Sequence, residues 1–464
     1  MSEAYDVAVI GSGPGGYVAG VKAAQAGLRA AVIERDRLGG ICLNWGCIPT
    51  KALLHNAELF EELKEASAYG FTLGEVGFDP RKIVERSRKV ADKMSRGVQS
   101  LLKKYKVAHV PGSAKLLRAG LLEVTTPEGK PQLLEAAHII VATGASPRSL
   151  PGIAIDHERV ITYREALALT TFPKRLLIVG AGAIGVEFAY YFNAFNVEVH
   201  LVELLPQLLP VEDAEISNLL LRSFRKKGIA CYTGTAVESL KVGKSKLTAS
   251  LKGPTESTTL ECDLALVAVG MAANTAGLGL EQAGVALERG FVKVDEHLRS
   301  SVPGIYAIGD VAGHQLLAHK ASAEAEVAVA AIKGHAHPPL DYGQIPGCTY
   351  CQPQVASVGL TEEQCKQRGL KYRVGRFPMA ASGKANALRQ LDGMAKVIFG
   401  EPHGQLLGAH LIGPQVTELL AELGLALRLE ATYEEILATV HAHPTLSETV
   451  FEATGVAYGV SPNL

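Results

Sequence analysis

The chain has 464 residues, with 46 Lys and Arg against 47 Asp and Glu and a formal net charge of −1. That length exceeds what one hydrophobic core serves and predicts roughly two to four domains. The balanced charge, with no basic run standing out, argues against nucleic acid or an anionic membrane as a partner.

Taken from the start, Met1-Ser2-Glu3-Ala4-Tyr5 precedes an apolar strand at Asp6 to Ile10, with no charged leader or Arg-rich transit segment, which fits a cytoplasmic protein. Gly11-Ser12-Gly13-Pro14-Gly15-Gly16 follows, then a helical stretch from Tyr17 to Ala26. A second apolar strand from Ala30 to Ile33 ends in Glu34. In such a turn the first glycine bends the chain tightly, the second admits a pyrophosphate to the backbone, and the third lets helix and strand pack closely. The helix start offers unpaired N–H groups to the phosphates, and Glu34 would accept hydrogen bonds from a ribose.

Cys42 and Cys47 come next, in Gly39-Gly40-Ile41-Cys42-Leu43-Asn44-Trp45-Gly46-Cys47-Ile48-Pro49-Thr50-Lys51. A thiol pair directly after a dinucleotide fingerprint suits two-electron exchange with a flavin, so the first nucleotide is expected to be FAD. Five residues of regular helix advance about 7.5 Å, whereas a disulfide spans roughly 7 Å between Cα atoms at most. If bonded, the two cysteines must straddle an irregular turn. Cys47 sits at a helix start, where the dipole favours thiolate. Lys51 is either a surface lysine or a partner for Glu187, which points inward on an apolar helix and needs a counter-charge.

Ile139 to Gly144 closes the first nucleotide unit, and Pro147 with Pro151-Gly152 marks a crossing. The fingerprint then recurs: a strand from Leu176 to Val179, the turn Gly180-Ala181-Gly182-Ala183-Ile184-Gly185, a helix through Phe195, and a strand from Glu198 to Val202 ending in Glu203. In both copies the acid lies 23 positions after the first glycine. One copy is a weak signal; two in strand–turn–helix–strand context are strong. Leu176 to Phe195 is the most apolar stretch, yet Gly180, Gly182, Gly185, Glu187 and Asn193 argue against a membrane span. After Glu203 come Leu204, Leu205, Pro206 and Gln207, with no Arg or Lys for a 2′-phosphate, so NAD is favoured over NADP. Leu264 to Gly270 closes this second unit.

Ile305 to Asp310 is a further buried strand, ending in an acid able to reach a flavin's ribityl chain. His335 to Pro339 is a linker, followed by strands at Gln354 to Gly359 and Ala395 to Phe399 and helices at Val416 to Leu429 and Tyr433 to Ala438. Cys231, Cys262 and Cys365 stand alone. Cys348 and Cys351 form a C-x-x-C, the pattern of a second redox pair or of half a metal site, but no second C-x-x-C or clustered histidine supplies the four ligands zinc needs. At His441-Ala442-His443-Pro444-Thr445-Leu446-Ser447-Glu448, a carboxylate stands near a histidine, as for a positioned base. Thr445 to Glu448 also matches a helix capping box, so Glu448 orients His443, caps a helix, or does both. Pro444 allows a cis bond.

Together Gly39 to Lys51, the doubled fingerprint, the Gly309-Asp310 strand end and His443 to Glu448 resemble the flavin disulfide reductases over essentially the whole chain. Leu43, Ile48 and Leu446 look like the branch that oxidises dihydrolipoamide within 2-oxo acid dehydrogenase complexes. The resemblance implies an α/β fold with two Rossmann-like dinucleotide-binding domains and a C-terminal α+β dimerisation domain. Its expected divisions are an FAD domain over 1–147, an NAD domain over 148–270, a central segment over 271–339 returning to the FAD domain, and a dimerisation domain over 340–464. It implies a homodimer in which Cys42 exchanges with the dithiol, Cys47 faces the flavin, and His443, oriented by Glu448, serves the other subunit's cysteines. A Lys51–Glu187 ion pair would lie beneath the flavin.

FAD contacts would come from Gly11, Gly13, Gly15, Gly16, Glu34, Cys42, Lys51, Ala114, Thr143, Gly144, Ala145, Asp310, Leu316, Leu317, Ala318 and His319. NAD contacts would come from Gly180, Gly182, Ile184, Gly185, Glu187, Glu203, Val237 and Gly270. The implied partners are the lipoyl and subunit-binding domains of an acyltransferase component. Trp45, the Cys348/Cys351 pair and Gln354 depart from the family's usual residues. The competing readings are a reductase of glutathione or another small disulfide using NAD(P)H, and a docking subunit with incidental redox activity.

Overall fold

The computed structural model describes residues 4–464; the expectation about a leader rests on Met1 to Glu3 and falls outside the described residues. The chain divides into two compact units. One holds Met1–Ala52, Arg81–Arg148 and Gly270–Tyr342; the other holds Leu53–Pro80, Ser149–Val269 and Gly343–Leu464.

The first unit is built on a sheet ordered Ala108–Pro111, Ala30–Glu34, Ala4–Ile10, Pro131–Val141, Leu121–Thr125 and Ser113–Arg118, with Ile305–Ala307 also pairing Pro131–Val141. Ala4–Ile10 runs parallel to both its neighbours, and Ile305–Ala307 runs parallel to Pro131–Val141. Val7, Val9, Ile10, Val32 and Ile33 are all buried, as continuous apolar runs of a sheet covered on both faces must be. Helices Pro14–Gln25 and Ala318–Lys333 pack together over one face. Small residues allow this: a Cβ on Gly15 would lie 3.0 Å from the Ala321 carbonyl oxygen.

The second unit repeats the parallel pattern in the order Ala230–Tyr232, Glu198–Val202, Arg175–Val179, Leu264–Val267 and Val160–Ile161. The apolar stretch from Leu176 to Phe195 is therefore a short strand and the 12-residue helix Ala183–Ala194. Among the described residues no helix is long and apolar enough to cross a membrane. The unit also holds an antiparallel sheet ordered Gly347–Thr349, Gln354–Gly359, Leu406–Gly413, Met394–Gly400 and Tyr372–Pro378. Helices Val416–Arg428 and Glu448–Tyr458 pack on it. Gly375 makes the second packing possible, because a Cβ there would stand 1.7 Å from the Ala453 carbonyl oxygen.

The sheet is tied to helix Ala214–Lys226 by Lys396, which is 1% exposed. Its ammonium lies 2.9 Å from Asp213, 3.1 Å from Glu215 and 2.8 Å from Glu362. Burial alone would lower the Lys396 pKa; hydrogen bonds with Glu362 and Asp213 outweigh it and hold it above the usual value.

Two elements differ from expectation. The segment from Ile139 to Gly144, expected to close the first nucleotide unit, is strand only as far as Val141, and that strand begins upstream at Pro131. The strand expected to run to Asp310 stops at Ala307, and Asp310 sits in a tight turn over Gly309–Ala312. Gly309 has φ +74°, a left-handed conformation that ends a strand.

Candidate active site

Both glycine turns have the same construction. Gly11 and Gly180 have φ near +100°, and a Cβ on either would lie 2.5 Å and 2.4 Å from the carbonyl oxygens of Ala142 and Ala268. A Cβ on Gly16 or Gly185 would strike the carbonyl oxygen of Gly11 or Gly180 at 2.0 Å and 1.8 Å. Gly13 and Gly182, by contrast, have nothing within 4 Å of an added Cβ. Each precedes a helix whose start has no side-chain cap bond. Open space before an uncapped helix start is what a pyrophosphate requires.

The terminal acids are also matched. Glu34 accepts the N–H groups of Ser12 and Asp36, both at 2.9 Å. Glu203 accepts those of Ala181 at 2.7 Å and Leu205 at 2.9 Å. An ionised carboxylate has about four acceptor positions, so each keeps capacity for a ribose hydroxyl. Ile184 lies in the first turn of its helix and Val237 at a register irregularity of strand Ala236–Val242. Gly270 has φ +104° and accepts the Arg148 N–H at 3.0 Å.

Around the first turn, Thr143, Gly144 and Ala145 follow the strand end and are held by a residue the sequence did not single out, Asn274. Its N–H donates to the Gly144 carbonyl at 2.9 Å, its side-chain amide donates to the Thr143 carbonyl at 2.9 Å, and its own carbonyl accepts the Thr143 hydroxyl at 2.8 Å. Ala114 is buried, on strand Ser113–Arg118. Leu316, Leu317, Ala318 and His319 surround the start of helix Ala318–Lys333.

One turn into that helix is a fully buried pair, Lys320 and Glu324. Lys320 Nζ donates to the carbonyls of Gly309 at 3.0 Å and Gly313 at 2.9 Å and lies 3.2 Å from Glu324 Oε2. Glu324 accepts the Gly309 N–H at 2.6 Å and the Tyr342 hydroxyl at 2.8 Å. This network grips both ends of the turn that presents Asp310. Burial raises the Asp310 carboxyl, with the Lys320 ammonium opposing. The signal was present in the sequence as two charges four apart in an alanine-rich helix.

In the cysteine segment, helix Gly40–Trp45 contains Cys42, the chain breaks at Gly46 (φ −140°, ψ −113°), and helix Cys47–Lys64 begins at the second cysteine. The pair thus straddles the irregular step that disulfide geometry demands. Cys42 is hydrogen-bonded to Cys47, which, with burial, pushes its thiol up; the Lys51 ammonium pulls it down. Gly40, with φ +59°, abuts the fingerprint, since a Cβ there would be 2.7 Å from Gly13 Cα. Gly39 N–H donates to Ser12 Oγ at 3.1 Å. The first glycine turn and the thiol pair are therefore one piece of structure. Trp45 has an explanation: the Arg88 guanidinium lies over its ring at 4.8 Å and donates to the Asn44 carbonyl at 2.7 Å.

In the second unit, His443 Nδ1 lies 2.8 Å from Glu448 Oε1, and Glu448 Oε2 accepts the Thr445 N–H at 2.8 Å. The Thr445 hydroxyl donates to the Ala442 carbonyl instead of completing a capping box, and the helix starts at Glu448. The His443–Pro444 bond is cis. Burial raises the Glu448 pKa, but the Thr445 amide and His443 outweigh it and hold it below the usual range. Glu187 is 4% exposed and accepts the Tyr350 N–H at 3.0 Å. The flanking Cys351 is fully buried and donates to the Pro353 carbonyl at 3.3 Å, while Cys348 is hydrogen-bonded to the Tyr350 phenol. No cluster of three or more metal-ligating side chains occurs among the described residues.

Residues 5–325 match the family model described as pyridine nucleotide-disulphide oxidoreductase, and residues 345–454 match that family's dimerisation domain. The chain is 50% identical to dihydrolipoyl dehydrogenase of Chlorobaculum tepidum over 98% of its own length and 97% of that protein. It is 46% identical to the dihydrolipoyl dehydrogenase of Zymomonas mobilis, over 99% of both chains. Among solved structures, LpdA from Mycobacterium tuberculosis superposes with a TM-score of 0.90 at 28% identity, covering 97% of this chain and 98% of that one. The flavoprotein disulfide reductase RclA from Escherichia coli, as a Cu(II) complex, gives 0.88 at 27% identity, with 98% and 99% covered. Two glycine turns, a hydrogen-bonded thiol pair and near full-length kinship agree: the chain belongs to the pyridine nucleotide-disulphide oxidoreductases.

Proposed function

We propose that the protein is a dihydrolipoyl dehydrogenase, oxidising protein-bound dihydrolipoamide through Cys42 and Cys47, with FAD and NAD as cofactors. The observation that carries this is the Cys42–Cys47 hydrogen bond beside the open Gly13 turn, in a chain 50% identical to a dihydrolipoyl dehydrogenase over nearly its whole length. FAD and NAD, when bound, supply the two-electron transfer.

The chain's own residues do the rest. The Cys42–Cys47 disulfide accepts the electron pair of the substrate dithiol: a substrate sulfur bonds Cys42, Cys47 leaves as thiolate, and the second substrate sulfur closes the lipoyl ring as Cys42 is released. Two thiol protons are lost: His443 Nε2, serving the other subunit's cysteines with its Nδ1 committed to Glu448, takes the first, and the released Cys42 thiolate takes the second. Lys51 holds positive charge near Cys42. Gly11, Gly13, Gly15, Gly16, Glu34, Thr143, Gly144, Ala145 and Asp310, with Ala114 and Leu316 to His319, would hold FAD. Gly180, Gly182, Ile184, Gly185, Glu187, Glu203, Val237 and Gly270 would hold NAD.

The assignment carries with it a cytoplasmic homodimer organised as an FAD domain (1–147 and 271–339), an NAD domain (148–270) and a dimerisation domain (340–464). It also carries docking to lipoyl and subunit-binding domains of an acyltransferase. The deciding experiment offers the purified holoenzyme NAD with dihydrolipoamide, and in parallel NADPH with oxidised glutathione. Turnover of the first pair, abolished by Cys42→Ser and by Cys47→Ser, supports the assignment; preference for the second overturns it.

A further inference from the structure

The near-zero net charge of the chain conceals one strongly cationic element. Helix Pro80–Lys104 carries nine Lys and Arg against two Asp and Glu. Its apolar side is occupied: Val84, Ala91, Val98 and Leu102 are buried. At 100° per residue, Lys82, Arg86, Lys89, Lys93 and Arg96 fall on the opposite side, and all are exposed. Both acids are already matched, Glu85 by Lys89 at 2.6 Å and Asp92 by Arg37. A solvated helix with this imbalance gains nothing in stability, because like charges four apart repel.

The same helix is bonded to the thiol segment, Arg86 reaching round to it from the outer face. Arg88 donates to the Asn44 carbonyl, the Ser87 hydroxyl to the Pro49 carbonyl at 2.9 Å, and Arg86 to the Ala52 carbonyl at 3.0 Å. Asn44, Pro49 and Ala52 bracket Cys47. The cationic face is thus mounted on the segment that reacts with substrate.

We infer that the outer face of helix Pro80–Lys104 is an electrostatic docking surface for an acidic carrier domain that delivers its dithiol to Cys42. This rests on the proposed function and names the chemistry of its partner. Fields of one sign near a reactive site raise association rates by about 10- to 1000-fold and lose that effect as salt rises. A membrane is disfavoured, because the helix's apolar stripe of Val84, Ala91, Val98 and Leu102 faces the protein and only Met94 and Leu101 stand exposed among the charges. Nucleic acid is disfavoured because the charge is mounted on a thiol–disulfide segment.

The test uses the holoenzyme and its Lys82→Glu/Lys93→Glu/Arg96→Glu variant, none of whose positions touches the thiol segment or a nucleotide turn. Each is assayed with a reduced, net-acidic lipoyl domain and with free dihydrolipoamide, at roughly 0.01 and 0.15 M ionic strength. For the lipoyl domain, kcat/KM of the variant should fall about tenfold at low salt with kcat kept, and its salt dependence should flatten. Free dihydrolipoamide should be turned over equally by both proteins. An unchanged kcat/KM for the lipoyl domain, or an equal loss with the free dithiol, overturns the docking surface. So does salt-sensitive binding confined to a DNA duplex or phosphatidylserine vesicles. Failure of the unaltered enzyme to oxidise free dihydrolipoamide would instead overturn the proposed function.

Discussion

Glu448 sets the protonation pattern of His443. A carboxylate only accepts, so the 2.8 Å contact places the proton of neutral His443 on Nδ1 and leaves the Nε2 lone pair outward as the base. Within its own chain the His443 side chain is 79% exposed, so it is Glu448 that orients it there. Glu448→Gln keeps an acceptor for Thr445 but loses the charge. It should reduce kcat about 10- to 100-fold with the FAD spectrum unchanged, as stopped-flow and steady-state rates would show. Glu448, with its pKa held down, stays ionised through neutral pH. Its contribution to stability disappears only in acid, as pH falls through that lowered value.

The two glycine turns make separable predictions. Gly185→Ala drives a methyl into the Gly180 carbonyl and should raise the KM for NAD about tenfold or more, with FAD content intact. Gly16→Ala makes the equivalent clash in the first copy and should cost FAD occupancy instead. Flavin-to-protein ratios and NAD titrations distinguish the two.

Removing one member of a buried ion pair strands the other. Lys320→Met should destabilise the holoenzyme by about 3–5 kcal/mol and release FAD at a lower temperature, because the Asp310 turn loses both its carbonyl anchors. Glu324→Gln retains an acceptor for the Gly309 N–H and should be milder. A flavin-fluorescence melt of each variant reads the difference.

Glu212 supplies a pH-dependent test. Burial pushes its carboxyl up to about 7, with a Ser357 hydrogen bond opposing. Its Oε2 has no partner among the described residues. The folded state therefore keeps a proton that the unfolded state has shed, so stability declines as pH rises from the ordinary carboxylate range through about 7. Glu212→Gln should be nearly neutral at pH ~5 and stabilising by about 2–3 kcal/mol at pH ~8. Thermal melts at the two pH values would reveal it; equal shifts at both would refute it.

The nucleotide turns were legible because their chemistry is local. Gly11 to Gly16 and Gly180 to Gly185 each carry the whole steric requirement within a few residues of a strand end and an acid. The break between Cys42 and Cys47 followed from helix rise set against the reach of a disulfide. Long-range partners were not legible: Asn274 reaches Thr143 across 131 positions, and nothing about its own neighbourhood marks it. Asp310 was read as a strand end because Ile305 to Ile308 is apolar, whereas the turn depends on Lys320 and Glu324 further along. The cationic helix escaped notice for a different reason: acids elsewhere in the chain cancel its charge in any total.

Gly375 lies in a sheet and touches no reactive group, yet helix Glu448–Tyr458 rests on the bare backbone there. A side chain at that position would act as a wedge under Ala453 and Ala457, displacing the helix whose first residue, Glu448, steers the imidazole. The aim of a base that serves the other subunit is thereby set from a hydrogen atom within the sheet, and drift at position 375 is closed to this protein so long as His443 must point true.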